Sequence, residues 1–316
     1  MMQLGILMSG QGAQYAGMGQ DLYDQEPAYR AVIDRASDLA GMDYQKLVFN
    51  DATRLNQTRY AQPAIFAMSM GIANALKPVL SPIKGALGLS LGEYSALTLA
   101  QAMDFDQAFK LLLDRGAYMQ TASEEIKTEM IAVLTEHQDQ VLATVEEVQA
   151  QGMHVYPANF NTPKQLVLAG DASGIAAVRE IFSEAGFKVI PLAVSGAFHT
   201  PFMASAGRLL KQRLADERFK QSLFPVYSNT TGKPFVDIQT TLGEQITRPT
   251  HFTQALTAML ADDVDTLIEF GPNKSLTKFA RQIADKSIQR LAVTDYASLQ
   301  AVRETLAKNQ EEAAWN

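Results

Sequence analysis

Short apolar runs alternate with longer stretches whose apolar residues recur at helical spacing, and this pattern predicts an α/β protein. Leu4 to Met8 and Ile83 to Leu87 predict buried strands, each leading into a glycine-containing loop. The apolar stretch that opens at Gln62-Pro63 and continues to Leu76 predicts a buried helix with the proline in its first turn. Leu267 to Phe270 predicts the last strand of the chain.

Residues 124–194 show a different order of elements, β-α-β-β-α-β. The predicted strands are Met130 to Leu134, His154 to Asn159, Gln165 to Ala169 and Lys188 to Leu192, and the predicted helices are Asp139 to Gln151 and Ser173 to Glu184. This order matches a split, ferredoxin-like unit whose middle strands are joined as a hairpin through Asn161-Thr162-Pro163. We therefore predict a ferredoxin-like subdomain at 124–194, inserted into a catalytic subdomain formed by 1–123 and 195–316.

Composition narrows the classes of function. The 316 residues, 47% hydrophobic and 19% charged, are typical of a globular protein large enough for two subdomains. The chain has no cysteine and only four scattered histidines, so a cysteine nucleophile is excluded and we predict no metal site. A net charge of −7 argues against a general nucleic-acid binder. The N-terminus lacks the features of a signal peptide and no apolar run is long enough to span a bilayer, so we expect a cytoplasmic protein with no membrane partner.

The most informative stretch is Gly88-Leu89-Ser90-Leu91-Gly92, a G-x-S-x-G sequence between a predicted strand and a predicted helix. In this context the pentapeptide is typical of a nucleophile elbow, in which glycines permit a sharp turn and the serine hydroxyl is presented above the sheet edge. The start of the helix directs free N–H groups toward charge that develops beside Ser90. The alternative is a glycine-rich turn with no catalytic role, and the predicted strand before it and helix after it favour the catalytic interpretation.

Three further segments supply candidate chemistry. The loop after the first strand contains Gln11, whose backbone N–H could donate to an oxyanion, although a plain strand-to-helix turn would also explain the glycines there. His199 lies in a loop-like segment, 195–202, and is the candidate base for Ser90, although a lone histidine more often has no catalytic role. Arg115 lies on an amphipathic helix predicted over Phe105 to Thr121, where a surface salt bridge is the usual role of an arginine.

The end of the chain is basic and then polar. Between Lys274 and Arg290 there are five basic residues and one acidic residue, which indicates either a solvated helix face or a docking patch for an acidic partner. The tail from Lys308 to Asn316 is polar, and we expect it to fray.

Seven motifs occur in a fixed order: GQGAQ at 10–14, GLSLGEYSAL at 88–97, RGAYMQ at 115–120, NFNTP at 159–163, SGAFHTP at 195–201, QITRP at 245–249 and EFGPNK at 269–274. Together they resemble the malonyl-CoA:acyl carrier protein transacylases of bacterial fatty-acid synthesis, over nearly the whole chain. The resemblance implies an α/β-hydrolase-like large subdomain with a ferredoxin-like insertion.

The resemblance also implies a ping-pong acyl transfer through a malonyl-Ser90 intermediate, with His199 as general base and then general acid. It implies that the backbone N–H groups of Gln11 and Leu91 form the oxyanion hole. In the family, a backbone carbonyl at the position of Gln245 orients the histidine in place of a carboxylate.

The remaining roles concern the acyl group and the partners. The resemblance implies that Arg115 binds the free carboxylate of malonate and that Phe198 favours malonyl over bulkier methylmalonyl units. Met119 and Asn159, in the matching motifs, are implied to support the site. No cofactor is implied beyond malonyl-CoA and a phosphopantetheinylated, acidic acyl carrier protein, which would dock transiently on the basic residues after Lys274. We expect a monomer.

The sequence departs from the family pattern in three places: Leu89 replaces the usual histidine, Met8-Ser9 replaces Phe-Pro, and GPNK replaces GPGK. Leu89 also occurs in free-standing acyltransferases that serve polyketide synthases, so such a loading enzyme is one alternative. A serine thioesterase or esterase is a second, although it would not need Arg115 and would normally show a clear acidic triad residue. A non-catalytic scaffold that binds a carrier protein is a third.

Overall fold

The computed structural model describes residues 2–80, 82–192, 194 and 196–315. Ser195, the first residue of the SGAFHTP motif and of the predicted return to the large subdomain, lies outside the described residues. The strands are β1 Leu4–Met8, β2 Ile83–Gly88, β3 Thr128–Leu134, β4 Val155–Thr162, β5 Gln165–Asp171, β6 Lys188–Pro191, β7 Val226–Tyr227, β8 Thr266–Phe270 and β9 Gln289–Val293.

The helices surround and connect these strands. They are α1 Gln20–Gln25, α2 Pro27–Ala40, α3 Tyr44–Asn50, α4 Ala52–Leu55, α5 Thr58–Leu76, α6 Gly92–Leu99, α7 Phe105–Glu125, α8 Gln138–Ala150, α9 Ala172–Glu184, α10 Ala204–Leu214, α11 Ile238–Gln245, α12 Phe252–Leu260, α13 Ser275–Ile283 and α14 Tyr296–Trp315, with a short 3-10 helix at Pro201–Met203. Within the described ranges, no helix is both long and apolar enough to cross a bilayer.

The predicted α/β class is confirmed by two separate sheets. The larger has five strands in the order β7-β2-β1-β8-β9, and every neighbouring pair is parallel. Its central strands β1 and β8 are buried along their whole length, as is typical of parallel sheets that are covered on both faces. Leu267 to Phe270 was predicted to be the last strand, and this is wrong: β9 pairs with β8 at the sheet edge. The strand begins with two polar residues, the exposed Gln289 and the half-buried Arg290, so it does not show as an apolar run in the sequence.

The smaller sheet has four strands in the order β4-β5-β3-β6, with every neighbouring pair antiparallel. Helices α8 and α9 contribute Val141, Val145, Val178 and Phe182 to a core shared with residues such as Val133 of β3. The element order and the strand order are those of a split, ferredoxin-like unit. The predicted element order therefore holds, whereas the boundaries at 123/124 and 194/195 stay a prediction.

Helix α5 begins earlier than its apolar pattern predicted. It starts at Thr58 and not at Gln62, so Pro63 lies inside the helix and not in its first turn. Tertiary contacts explain the difference: the backbone N–H of Thr58 donates to Oε1 of Gln120 on α7 (2.9 Å), and Thr58 is fully buried. A hydrogen bond from a distant helix replaces the capping signal that the sequence lacks.

The polar C-terminal tail is also more ordered in the structure than its composition predicted. The expectation of fraying from Lys308 is wrong as far as the described residues extend, because α14 continues through Trp315. Leu306 packs into the main core, Gln310 donates to the carbonyl of Val79 (3.0 Å), and Asn309 accepts the backbone N–H of Met2 (2.7 Å). These contacts with residues that are distant in the sequence hold the helix in place.

Parallel pairing places the functional loops side by side. Met8 at the end of β1 lies opposite Gly88 at the end of β2, and the N–H of Leu89 donates to the carbonyl of Met8 (3.1 Å). The loop that contains Gln11 and the turn that contains Ser90 therefore leave the same edge of the sheet, which is where open α/β folds bind ligands.

Candidate active site

A tight strand-to-helix turn presents Ser90 at this edge. Ser90 has a positive φ of 55°, an uncommon backbone conformation for a residue with a side chain. The two flanking glycines are required by close packing: a Cβ on Gly88 would lie 1.8 Å from the carbonyl carbon of Gly92, and a Cβ on Gly92 would lie 2.3 Å from the carbonyl oxygen of Met8. The turn thus has the geometry of a nucleophile elbow.

His199 faces Ser90 from another loop. Its Nε2 lies 2.8 Å from Oγ of Ser90, and its Nδ1 lies 3.0 Å from the backbone carbonyl oxygen of Gln245. Because a carbonyl can only accept, Nδ1 carries the proton and Nε2 is left to accept the serine proton. Gln245 is the last residue of α11, so its carbonyl has no partner within the helix and lies at the negative end of the helix dipole.

The histidine loop is held rigidly. His199 has a φ of 63° and its backbone N–H donates to the carbonyl of Ile246 (3.0 Å), while the hydroxyl of Thr200 donates to the carbonyl of Ala197 (2.6 Å). The histidine is only 4% exposed. Burial, and secondarily the charge of Arg115, lowers the pKa of His199 to about 4. The imidazole is therefore neutral, as a general base must be, across the physiological range.

Arg115 is the cation of the site. It is fully buried on α7, a helix whose start is capped by Asp104 accepting the N–H of Gln107 (2.8 Å). Its Nη2 donates to Oγ of Ser90 (3.0 Å) and to Oε1 of Gln245 (2.7 Å). Burial lowers the pKa of Arg115, although an arginine stays charged. The surface salt bridge that is usual for a helical arginine is absent here among the described residues.

Two neighbours of Arg115 were not predicted from the sequence. Gln62 of α5 accepts a hydrogen bond from Nη1 of Arg115 and lies 3.3 Å, through Nε2, from the sulfur of Met119. Glu93, in the first turn of α6, accepts from Nε2 of Gln245 and is fully buried. The only sequence signal for Glu93 is a carboxylate immediately after the G-x-S-x-G turn, and nothing in the sequence places Gln62 beside Arg115.

The serine and histidine open onto a cleft of about 240 Å³ between the two sheets. Of the residues predicted to support the site, Met119, Asn159 and Phe198 all line the cleft. The side chain of Asn159 donates to the hydroxyl of Thr250 (2.8 Å) and so joins β4 to the large subdomain. The cleft is further lined by Gly10, Gln11, Met130, Asn161, Gln165, Leu192, Asn273 and Phe279.

The two predicted oxyanion donors belong to the turns at this edge: Leu91 directly follows Ser90, and Gln11 lines the same cleft. Leu91 is the N-cap residue of α6, and Gln11 lies in the loop after β1, where its side chain donates to the hydroxyl of Thr58 (3.1 Å). In the described part of the chain, the backbone N–H groups of Gln11 and Leu91 have no hydrogen-bond acceptor. Both amides are therefore available to a ligand.

Helix α13 forms one wall of the cleft and carries basic residues beside it. Ser275, Leu276 and Phe279 line the cleft, while Lys278 and Arg281 on the same helix are exposed. Of the five basic residues of this region, Arg290 has a structural role, because its guanidinium donates to the backbone carbonyls of Ala284, Asp285 and Ile288. The exposed basic residues are Lys274, Lys278, Arg281 and Lys286.

A larger cavity of about 500 Å³ lies elsewhere, beside Ile83 at the start of β2, and none of the predicted site residues lines it. Within the described ranges, no group of three or more histidine, aspartate or glutamate side chains could hold a metal ion. The chemistry that the geometry can support is therefore concentrated at Ser90: an alcohol beside a neutral imidazole, two free backbone amides and one buried cation.

Comparisons with known proteins show what the whole chain is similar to. The family model described as "Acyl transferase domain" matches residues 6–313. A protein of Bacillus subtilis (strain 168) named malonyl CoA-acyl carrier protein transacylase is 33% identical, covering 99% of this chain and 100% of the relative. The solved structure of a malonyl CoA-acyl carrier protein transacylase from Clostridium perfringens aligns with a TM-score of 0.92 at 35% identity, covering 99% of this chain and 100% of that one.

One similar structure contains a partner. It is described as a type II PKS acyl-carrier protein in complex with its malonyl-transacylase, and it aligns with a TM-score of 0.91 at 33% identity, covering 96% of this chain and 99% of that one.

Proposed function

This chain belongs to the acyl transferase family, and from that premise we propose that it transfers a malonyl group from malonyl-CoA to the phosphopantetheine thiol of an acyl carrier protein in fatty-acid synthesis. The observation that carries the proposal is the position of the Arg115 guanidinium, 3.0 Å from the hydroxyl of a serine that is paired with a neutral histidine. A malonyl group bound to that serine would bring its free carboxylate within reach of a cation.

In the first half-reaction, Oγ of Ser90 attacks the thioester carbonyl carbon while Nε2 of His199 takes the hydroxyl proton. The C–S bond then breaks, the imidazolium returns the proton to the departing sulfur, and malonyl-Ser90 and free coenzyme A remain. A pKa of about 4 makes His199 a weak base but makes its imidazolium a strong acid, which favours protonation of the leaving group. The carbonyl of Gln245 keeps the ring in the required tautomer.

The negative charge of the tetrahedral intermediate needs donors that are already oriented. The backbone N–H groups of Gln11 and Leu91 are the candidates, because they lie in the turns beside Ser90 and have no acceptor in the described part of the chain. Donors fixed by the backbone of a tight turn need little reorganisation as the charge develops.

Arg115 is proposed to select the acyl group. Its Nε is buried without a hydrogen-bond partner and lies on the same edge of the guanidinium as Nη2, so a carboxylate could bind both N–H groups at once. An acetyl group would leave Nε without a partner, and a buried unpaired donor is costly. Phe198 at the cleft wall limits space near the acyl carbon, in keeping with the small malonyl unit.

In the second half-reaction, the thiol of the carrier protein gives its proton to His199 and attacks the ester carbonyl, and Ser90 leaves with the proton. The exposed Lys278 and Arg281 beside the cleft would attract an acidic carrier. The reaction needs no cofactor beyond its two substrates, the thioester malonyl-CoA and the thiol of the carrier protein, and it belongs in the cytoplasm, where these substrates occur. Whether the natural carrier serves fatty-acid or polyketide synthesis can be decided by comparing transfer rates to one carrier of each kind.

The acylation step is tested by intact-protein mass spectrometry after brief mixing with malonyl-CoA. We expect one malonyl adduct on the unchanged protein and none on Ser90→Ala, while Ser287→Ala, a change at an exposed serine outside the cleft, keeps the adduct. An adduct that persists in Ser90→Ala would place the acyl group on another residue and contradict the proposed mechanism.

A further inference from the structure

A buried carboxyl group lies directly behind the proposed nucleophile and takes no part in the mechanism above. Glu93 is fully buried and does not line the cleft. Its Oε1 accepts the backbone N–H of Asn229 (2.5 Å), and its Oε2 accepts from Nε2 of Gln245. Both oxygens therefore face N–H donors, an arrangement that favours the ionised carboxylate over its neutral form.

The amide of Gln245 connects this carboxylate to the reacting groups. Its Oε1 accepts from Arg115 (2.7 Å), while its Nε2 donates to Glu93 and to the backbone carbonyl of Ser90 (3.0 Å). The cation requires the oxygen end of the amide and the anion requires the nitrogen end, so the two charges together fix its orientation. The same residue supplies the carbonyl that orients His199.

We propose that Glu93 is a positioning residue: its carboxylate fixes Gln245, and through Gln245 it holds Arg115 beside Ser90 and the Gln245 carbonyl against His199. The part of this proposal that concerns Arg115 rests on the proposed function, whereas the part that concerns His199 applies to any acylation of Ser90.

The charge on Glu93 matters for two physical reasons. An amide at position 93 would turn N–H donors toward either Gln245 or Asn229, and one of those hydrogen bonds would be lost, while a neutral carboxyl group would accept both more weakly than a carboxylate does. Among the described residues, no carboxylate forms a direct salt bridge with Arg115. Glu93 is the negative charge that balances this arginine, and the side-chain amide of Gln245 lies between the two. A buried guanidinium without a counter-charge would relax toward water and away from Ser90.

The ionisable groups around Glu93 titrate far from neutrality. Arg115 on α7 stays protonated, burial lowers the pKa of His199 to about 4, and burial raises the pKa of Tyr94 on α6 to about 12. Burial raises the pKa of Glu93 itself to about 7, against the opposing effect of its hydrogen bonds and of Arg115. Glu93 is therefore the group of this cluster that gains or loses its proton near pH 7.

The test measures acylation of Ser90 between pH 5 and pH 9 with two reagents, p-nitrophenyl acetate, a neutral ester followed as a burst, and malonyl-CoA. We expect the rate on the unchanged protein to rise with pH through a midpoint near 7. Glu93→Gln is expected to lose about 10-fold or more at pH 8 with either reagent, and to lose the midpoint near 7. Glu93→Asp, which keeps an ionisable group on a shorter side chain, is expected to be slower but to keep a pH-dependent rise.

Glu269→Gln is the matched control, because Glu269 is also a buried carboxyl with a raised pKa. It accepts from the N–H groups of Leu276 and Thr277 and from the hydroxyl of Ser9, and it does not touch Gln245. This variant is expected to keep the midpoint near 7. A midpoint that disappears in Glu269→Gln and persists in Glu93→Gln would overturn the proposal. Should the Glu93 variants fail to fold, the unchanged protein still provides a test: His199 alone, with a pKa of about 4, would give a rate that is flat between pH 5 and pH 9, and such a flat profile would overturn the role assigned to the charge on Glu93.

The two reagents separate this proposal from the proposed function. Normal behaviour with p-nitrophenyl acetate and no reaction with malonyl-CoA would contradict the proposed substrate and leave the positioning role of Glu93 supported. A malonyl adduct that forms equally well on Glu93→Gln and on the unchanged protein at every pH would overturn the role of Glu93 and leave the proposed function supported. No acylation of the unchanged protein by either reagent would overturn both.

Discussion

Arg115 is the residue on which the choice of acyl group depends in this account. A serine beside a histidine would acylate with many thioesters, whereas a buried guanidinium with an unpaired Nε favours an acyl group that ends in a carboxylate. Replacing Arg115 by lysine keeps the positive charge but removes the two-pronged hydrogen-bonding geometry, so the effects of charge and of geometry can be measured separately.

We therefore expect Arg115→Ala to slow acylation by malonyl-CoA by about 100-fold, the order expected from the loss of charge-assisted hydrogen bonds. Acylation by acetyl-CoA should change much less, because acetyl has no carboxylate to bind. Arg115→Lys should fall between the two, since an ammonium group keeps the charge and loses the two-pronged contact. Single-turnover rates with both thioesters measure this. Equal losses with malonyl-CoA and acetyl-CoA would show that Arg115 acts on Ser90 alone.

At the scale of elements, helix α13 links the cleft to the surface. Its buried start is held by Glu269 at the end of β8, whose carboxylate accepts the N–H groups of Leu276 (3.0 Å) and Thr277 (2.7 Å). One face of the helix then lines the cleft and another carries exposed basic side chains. A carrier protein that docks on these charges would bring its thiol close to the cleft mouth.

Charge reversal on α13 should therefore affect one half-reaction more than the other. We expect Lys278→Glu to raise the KM for the carrier protein by about 10-fold at low salt and by less at high salt, because exposed charge pairs are screened. Acylation by malonyl-CoA should stay within about 2-fold, and Lys110→Glu, at an exposed site on α7, should change neither step. Equal losses in both half-reactions would indicate that Lys278 binds coenzyme A instead of the carrier.

Elements differ in how far their sequence determines them. The strands β1 and β2 and the turn at Ser90 could be predicted because local pattern and glycine spacing agree with the final packing. The start of α5 and strand β9 could not, because a side chain of α7 caps the helix and an exposed edge strand lacks a continuous apolar run. The structure brings Ser90, His199 and Gln245 together as their motifs suggested, and their catalytic roles stay predictions.

At the scale of the whole molecule, the site forms where the two sheets meet. Gln11 and Ser90 line the cleft from loops that follow strands of the parallel sheet. Asn159 and Gln165 line it from strands of the antiparallel sheet. No local pattern reveals such a cleft, and the sequence indicated it only through seven motifs spread along the chain. The family resemblance drawn from those motifs is confirmed by the match over residues 6–313 and by full-length relatives.

The overall charge of the molecule also matters at this scale. With a net charge of −7, the protein as a whole repels an acidic carrier, so docking depends on the local basic surface of α13. A transferase must also keep its acyl-enzyme from water until the thiol arrives, which a partly enclosed cleft of about 240 Å³ between two sheets favours.

The most direct test is to isolate the malonyl adduct, add a holo acyl carrier protein, and follow the masses of both proteins over time. We expect the malonyl group to leave the enzyme and appear on the carrier much faster than free malonate forms without the carrier. Release of free malonate at the same rate with and without the carrier, with the carrier left unloaded, would contradict the account and identify a hydrolase.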